Sequence, residues 1–142
     1  MFKIVLDCSG GERLMRVRRA FAFGFAVFAV LAQPANAQDV ANGEDVFKKC
    51  RVCHNVGQGA TNKIGPALQG IFGRKTGTFD GFSYSDVMRE SGEKGHVWTA
   101  ETIDKYLENP RSYMPGNKMA FVGVKDEIDR RDLIAYLKSA TQ

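Results

Sequence analysis

Two cysteines three positions apart with a histidine directly after them, Cys50-Arg51-Val52-Cys53-His54, are the residues of this sequence best placed to do chemistry. A C-x-x-C pair serves as a redox-active disulfide, as half of a zinc site or, when His follows directly, as a point of covalent haem attachment. A structural zinc needs four ligands, and beyond position 37 the chain adds only His96, far along beside Val97-Trp98. A thioredoxin-like role needs a strand feeding the pair within a βαβ unit, and no run of alternating β-branched residues precedes Cys50. The haem reading gives every residue a task. On a helix, positions 50, 53 and 54 lie at i, i+3 and i+4 and share one face. Two thiols can then add to the two vinyl groups of one porphyrin while the His54 imidazole reaches the iron.

A second iron ligand has four candidates: Met88, Met114, Met119 and His96. Met119 stands out in Tyr113-Met114-Pro115-Gly116-Asn117-Lys118-Met119, because Pro115-Gly116 forces a turn and a loop can present a thioether to the iron. Methionine is a soft ligand that favours the ferrous state. Met88 and Met114 read as core filler. An iron with both axial positions filled by protein has no open site for a substrate, so the expected task is outer-sphere electron transfer rather than catalysis. The rival is an enzyme or gas sensor in which Met119 is absent from the iron.

Ala20 to Ala32 is an uninterrupted apolar run of 13 residues, preceded by Arg16, Arg18 and Arg19 and followed by Ala35-Asn36-Ala37. A basic region, a short apolar region and small residues two apart predict a secretory signal peptide over 1–37, cleaved after Ala37, with Met15 a candidate initiator. A membrane-spanning helix needs roughly 20 apolar residues, so a retained anchor is the lesser reading. Export places the mature chain, 38–142, in the periplasm as a soluble protein and removes Cys8. The first 37 residues hold five of the 20 Lys+Arg and two of the 16 Asp+Glu, which leaves 15 against 14. The basic balance of the whole chain therefore gives no argument for nucleic-acid binding.

Further motifs, in order, are Ile64-Gly65-Pro66-Ala67-Leu68, Gly73-Arg74-Lys75-Thr76-Gly77, Tyr84-Ser85-Asp86, Trp98, Tyr106-Leu107-Glu108-Asn109-Pro110, Pro115 to Met119 and Asp132 to Lys138. Together with Cys50 to His54 they resemble the class I cytochromes c, of the small soluble bacterial type close to the mitochondrial protein. The resemblance covers nearly all of 38–142. It implies an all-α fold of helices and long loops packed around one haem c, attached through Cys50 and Cys53 and ligated by His54 and Met119. It also implies that the Pro66 carbonyl accepts from the His54 ring, that the Tyr106 hydroxyl lies near the Met119 sulfur, and that Arg74, Tyr84 and Trp98 surround the propionates. The donor it implies is a membrane quinol:cytochrome c oxidoreductase. The acceptor is a terminal oxidase or a photosynthetic reaction centre, and the carrier is a monomer. Two departures stand out: a longer segment between Tyr84 and Trp98, and Asn117 where a threonine is usual.

The elements that must position these groups are three helices. The first runs from about Val40 to Cys50 with Gly43, Phe47 and Cys50 on one face. The second is capped by Thr99 with Glu101 in its first turn, faces inward through Ile103, Tyr106 and Leu107, and stops at Asn109-Pro110. The third opens with Asp126 and Glu127 against its dipole and turns Leu133, Ile134, Leu137 and Ala140 inward. By resemblance, Leu133 and Tyr136 cross the first helix at Gly43 and Phe47. The glycine-rich stretch from Gly57 to Gly81 is too long for an ordinary loop and makes sense packed on a cofactor. Lys48, Lys49, Lys63, Arg111, Lys118 and Lys125 are expected to ring the exposed haem edge and steer an acidic partner.

Overall fold

The computed structural model describes residues 38–142, so the expected signal segment and Met15 lie outside the described residues. Five α-helices occur in this part: α1 Val40–Phe47, α2 Asp86–Glu93, α3 Ala100–Glu108, α4 Pro110–Tyr113 and α5 Glu127–Ala140. Among the described residues the only β pairing is a single bridge between Lys75 and Val97, so the architecture is all-α as expected. No helix there is long and apolar enough to cross a membrane.

The frame is the crossing of α1 and α5, with α3 packed against α5 and α4 against α3. It depends on Gly43: a Cβ there would collide with the backbone oxygen of Asp132 and come within 2.8 Å of Tyr136 Cβ. The two helices therefore touch backbone to backbone, one turn from the place where Phe47 and Tyr136 meet with ring centroids 5.3 Å apart. The residue facing Gly43 is Asp132 rather than Leu133, which points into the core and is fully buried. Asp132 also serves the crossing chemically. Its carboxylate accepts from Asn42 Nδ2 at 3.0 Å and from the Asp39 backbone N–H at 3.1 Å, so an α5 side chain helps hold the start of α1. Asp39 itself caps α1 by accepting from the N–H groups of Ala41 and Asn42.

α3 begins at Thr99, as its sequence predicts, and the cap is reciprocal: the Thr102 N–H donates to Thr99 Oγ1 at 3.2 Å, and the Thr99 N–H to Thr102 Oγ1 at 2.7 Å. Its inward face is Ile103, Tyr106 and Leu107, all buried. Pro110 ends α3 and starts α4 at once, because a missing N–H costs nothing at a first helical position, and the Asn109 side chain accepts from the Ser112 N–H. α5 carries the buried Arg130, which donates to Asp104 Oδ1 of α3 at 2.8 Å and to the carbonyls of Val124 and Lys125 at 3.0 Å. A charge taken out of water needs this full set of partners. The apolar core unites Phe47, Trp98, Ile103, Tyr106, Leu107, Leu133 and Leu137, and Cys50, Leu68, Phe72 and Met119 pack against it from the loops.

α1 is shorter than its sequence suggests. It stops at Phe47, and Lys48 to Cys53 follow as a run of tight turns. α2 and α4 were not expected, and α2 occupies the longer segment between Tyr84 and Trp98.

Candidate functional site

The Cys-x-x-Cys-His stretch keeps a one-face arrangement without being an α-helix. The Cys50 N–H donates to the Phe47 carbonyl at 2.8 Å, and the Cys50 carbonyl accepts from both the Cys53 N–H (3.0 Å) and the His54 N–H (2.9 Å). These i→i−3 and i→i−4 bonds close one helical turn, so positions 50, 53 and 54 are brought to one side. Both cysteines are half-buried and neither is in a disulfide. Burial pushes the Cys50 thiol up to about 11, with Lys49 opposing and Cys53 adding.

His54 is fixed from behind. Its Nδ1 lies 2.7 Å from the Pro66 carbonyl oxygen. A carbonyl can only accept, so Nδ1 carries the hydrogen and the lone pair sits on Nε2, on the far side of the ring. Burial lowers the pKa of His54, Pro66 pulling the other way, and keeps the imidazole neutral. The ring lies directly over Gly65, where a Cβ would collide with His54 Cε1 and come within 2.9 Å of Nδ1. Gly65, the residue before Pro66, thus clears the space the ring needs, a role its place in the motif does not reveal.

Met119 is held by a second set of bonds. Pro115 and Gly116, the latter at φ 91°, form a turn closed by the Asn117 N–H on the Met114 carbonyl at 3.2 Å, the geometry of a type II turn. Asn117 then organises the loop: its Nδ2 donates to the carbonyls of Pro110 (2.8 Å) and Met114 (2.7 Å), and its Oδ1 accepts from the Met119 N–H at 2.9 Å. The Tyr106 hydroxyl lies 3.3 Å from Met119 Sδ. Met114, read as filler, is indeed buried in the core, and half-buried Met88 packs against it.

The remaining expected residues form a third group. Arg74 is half-buried, donating from Nη1 to the Gln69 carbonyl at 2.6 Å and stacking over Phe79 with its guanidinium carbon 4.7 Å from the ring centroid. Burial lowers its pKa and raises that of Tyr84, and the two groups interact favourably in charge. Trp98 is buried, 5.0 Å in centroid distance from Tyr106, which joins this group to the Met119 group. Arg74 Nη2 reaches the Ala67 carbonyl at 3.4 Å, next to Pro66, which joins it to the His54 group. All nine expected site residues thus belong to one connected set.

Ser85 was missed. Its Oγ is buried and has no hydrogen-bond partner, the only such side-chain atom among the described residues. It borders an open cavity of about 580 Å³ lined by Tyr84, Val87, Arg89, Gly116 and Lys118 among others. A serine before a helix reads as a cap, and Ser85 does occupy the N-cap of α2, but its side chain makes no capping bond. His96, one of the rival ligand candidates, has both ring nitrogens committed elsewhere, to Thr76 and Tyr113. The six expected surface cations are all exposed. Lys63, Lys118 and Lys125 donate to the backbone carbonyls of Arg51, Ser83 and Glu108, which fixes their position without neutralising them, whereas Lys48 is paired with Asp45 at 2.6 Å.

The family model described as Cytochrome c matches residues 40–141. The chain is 52% identical over 120 residues to a cytochrome c2 of Blastochloris viridis, covering 84% of this chain and 92% of that protein. It is 57% identical over 99 residues to a cytochrome c-550 of Ancylobacter novellus, covering 70% and 92%. Among solved structures, cytochrome c2 from Rhodospirillum centenum superposes with a TM-score of 0.69 at 41% identity, covering 73% of this chain and 99% of that one. The chain belongs to the cytochrome c family.

Proposed function

We propose that this chain is a soluble, periplasmic, single-haem electron carrier, exported by a signal peptide over 1–37 and attached to one haem c through Cys50 and Cys53. His54 and Met119 are its iron ligands. The observation that carries this reading is that both donor atoms are oriented from behind by a hydrogen bond, His54 through Pro66 and Met119 through Tyr106.

The residues present fit such a group on independent grounds. Two thiols and an imidazole with its lone pair on Nε2 lie on one side of a closed turn, and a thioether is offered by an ordered loop. A buried serine hydroxyl without a partner, next in the chain to Tyr84, whose own hydroxyl feels the Arg74 charge, is what a carboxylate removed from water requires. Haem c, when bound, supplies a reversible one-electron couple at iron.

The chain does the rest. Pro66 holds the imidazole so that little reorganisation is needed when charge changes nearby. Asn117 fixes the backbone of Met119, and Tyr106 sets the electron density on its sulfur. With both ligand positions taken by protein, small molecules have no place to bind, which separates a carrier from a sensor or peroxidase. The partner readings are a membrane quinol:cytochrome c oxidoreductase as donor and a terminal oxidase or photosynthetic reaction centre as acceptor, met by a monomer through its exposed cations.

The test is a redox titration of the purified holoprotein combined with exposure of the reduced form to carbon monoxide. A reversible one-electron couple with no carbon monoxide spectrum under native conditions is expected. Ready carbon monoxide binding would favour a sensor or enzyme.

A further inference from the structure

His96 packs against Trp98 and Tyr113, which both pack against Tyr106, and its ring is a strut between two segments. Nδ1 is 2.6 Å from Thr76 Oγ1, Nε2 is 2.9 Å from the Tyr113 hydroxyl, and the ring meets Trp98 edge-on with centroids 5.1 Å apart. Hydroxyls donate or accept as required, so either neutral tautomer satisfies both contacts.

One end of the strut is rigid. Thr76 is fully buried, its N–H donates to the His96 carbonyl at 3.0 Å, and Lys75 bridges to Val97. α2 is pressed so closely on this point that a Cβ at Gly92 would collide with the Thr76 carbonyl oxygen. The other end is not rigid by itself. α4 is only four residues long, and a single turn is not held in place by its own bonds. Yet α4 is what the Met119 loop hangs from, through Asn117 Nδ2 on the Pro110 carbonyl and Asn117 Oδ1 under the Met119 N–H.

We infer that His96 is a positioning residue for the sulfur of Met119: it ties the neck of the 76–96 loop to Tyr113, and through α4 and Asn117 it holds the methionine loop closed. This inference rests on Met119 being an iron ligand. It assigns a task to the histidine that sequence alone offered as a competing ligand, and it makes the loop's closure depend on a segment remote in sequence.

The experiment measures binding of added imidazole to the ferric holoprotein, which requires the methionine to leave. His96→Phe keeps a ring against Trp98 and loses both hydrogen bonds. Apparent imidazole affinity should rise about tenfold, as expected for two hydrogen bonds of modest net worth. Tyr113→Phe, a milder change that serves if His96→Phe folds poorly, should raise it about threefold. The double variant should equal His96→Phe alone, because the bond lost is shared. Asn42→Ala, at the α1–α5 crossing, should lower the thermal midpoint without changing imidazole affinity. Wild-type affinity in both strut variants, or an equal rise in Asn42→Ala, overturns the inference. If instead the wild-type ferric protein lacks the far-red sulfur-to-iron band and binds imidazole as tightly as Met119→Ala, the ligand reading itself has failed and takes the inference with it.

Discussion

The hydroxyl of Tyr106 stands 3.3 Å from the sulfur of Met119 and 3.3 Å from Asn117 Oδ1, at the junction of α3 and the methionine loop. Burial pushes the phenol pKa well above its ordinary value, so it remains a donor at any working pH. With Met119 on the iron as proposed, donation into a sulfur lone pair withdraws density from the thioether, weakens it further as a donor and so favours the ferrous state. Tyr106→Phe should therefore lower the reduction potential by a few tens of millivolts, on the scale of one hydrogen bond and 59 mV per tenfold for one electron. An unchanged potential would mean that the hydroxyl does not act on the sulfur.

Gly43→Ala should destabilise the fold by about 2 kcal/mol, within the range of overpacking, because the added carbon collides with the Asp132 backbone rather than with a movable side chain. Urea unfolding of the holoprotein reads this directly. Wild-type stability would show that α1 and α5 do not cross as closely as described.

Asp132 should govern part of the acid sensitivity. Its carboxyl is held below the ordinary range first by the Asn42 side chain, with the Asp39 N–H and Arg131 adding and burial opposing. A depressed folded pKa contributes stability that is present above the unfolded value and lost as pH falls through the folded one. Asp132→Asn should be less stable than wild type at neutral pH, and the gap should narrow as pH falls below the ordinary carboxylate range. Thermal midpoints measured across that window check it, and a constant gap would contradict it.

Oxidation of the reduced protein by the proposed acceptor, a terminal oxidase or a photosynthetic reaction centre, should slow as ionic strength rises, since the Debye length is about 8 Å at physiological salt and the fixed lysines Lys63, Lys118 and Lys125 act through solvent. Lys118→Gln should weaken this salt dependence. Rates independent of salt would remove the steering role.

What the sequence made legible is what depends on neighbours along the chain: the Pro115-Gly116 turn before Met119, the Thr99 cap and the stop at Asn109, whereas the helix expected to carry Cys50 to His54 is a run of tight turns after Phe47. What it hid depends on partners far away. Ser85 looks like a helix cap and is instead a buried hydroxyl without a bond, which only three-dimensional packing reveals. The contact at Gly43 involves the Asp132 backbone because Leu133 points inward, a matter of side-chain direction that spacing alone does not resolve. α2, DVMRESGE, is short and mostly polar, with Val87 and Met88 its only large apolar residues, and it is held by the close approach of Gly92 to Thr76. His96 invited a ligand reading because an isolated histidine carries no sign of which hydroxyls will meet it.

In the proposed carrier Met119 would be the second protein ligand of the iron, and on that ligand the distinction from a sensor or enzyme rests. The most direct measurement is the absorption spectrum of the ferric holoprotein in the far red, compared with that of Met119→Ala. The wild type should show the weak sulfur-to-iron band and the variant should lack it. A wild-type spectrum without the band, or a variant that retains it, would contradict the claim.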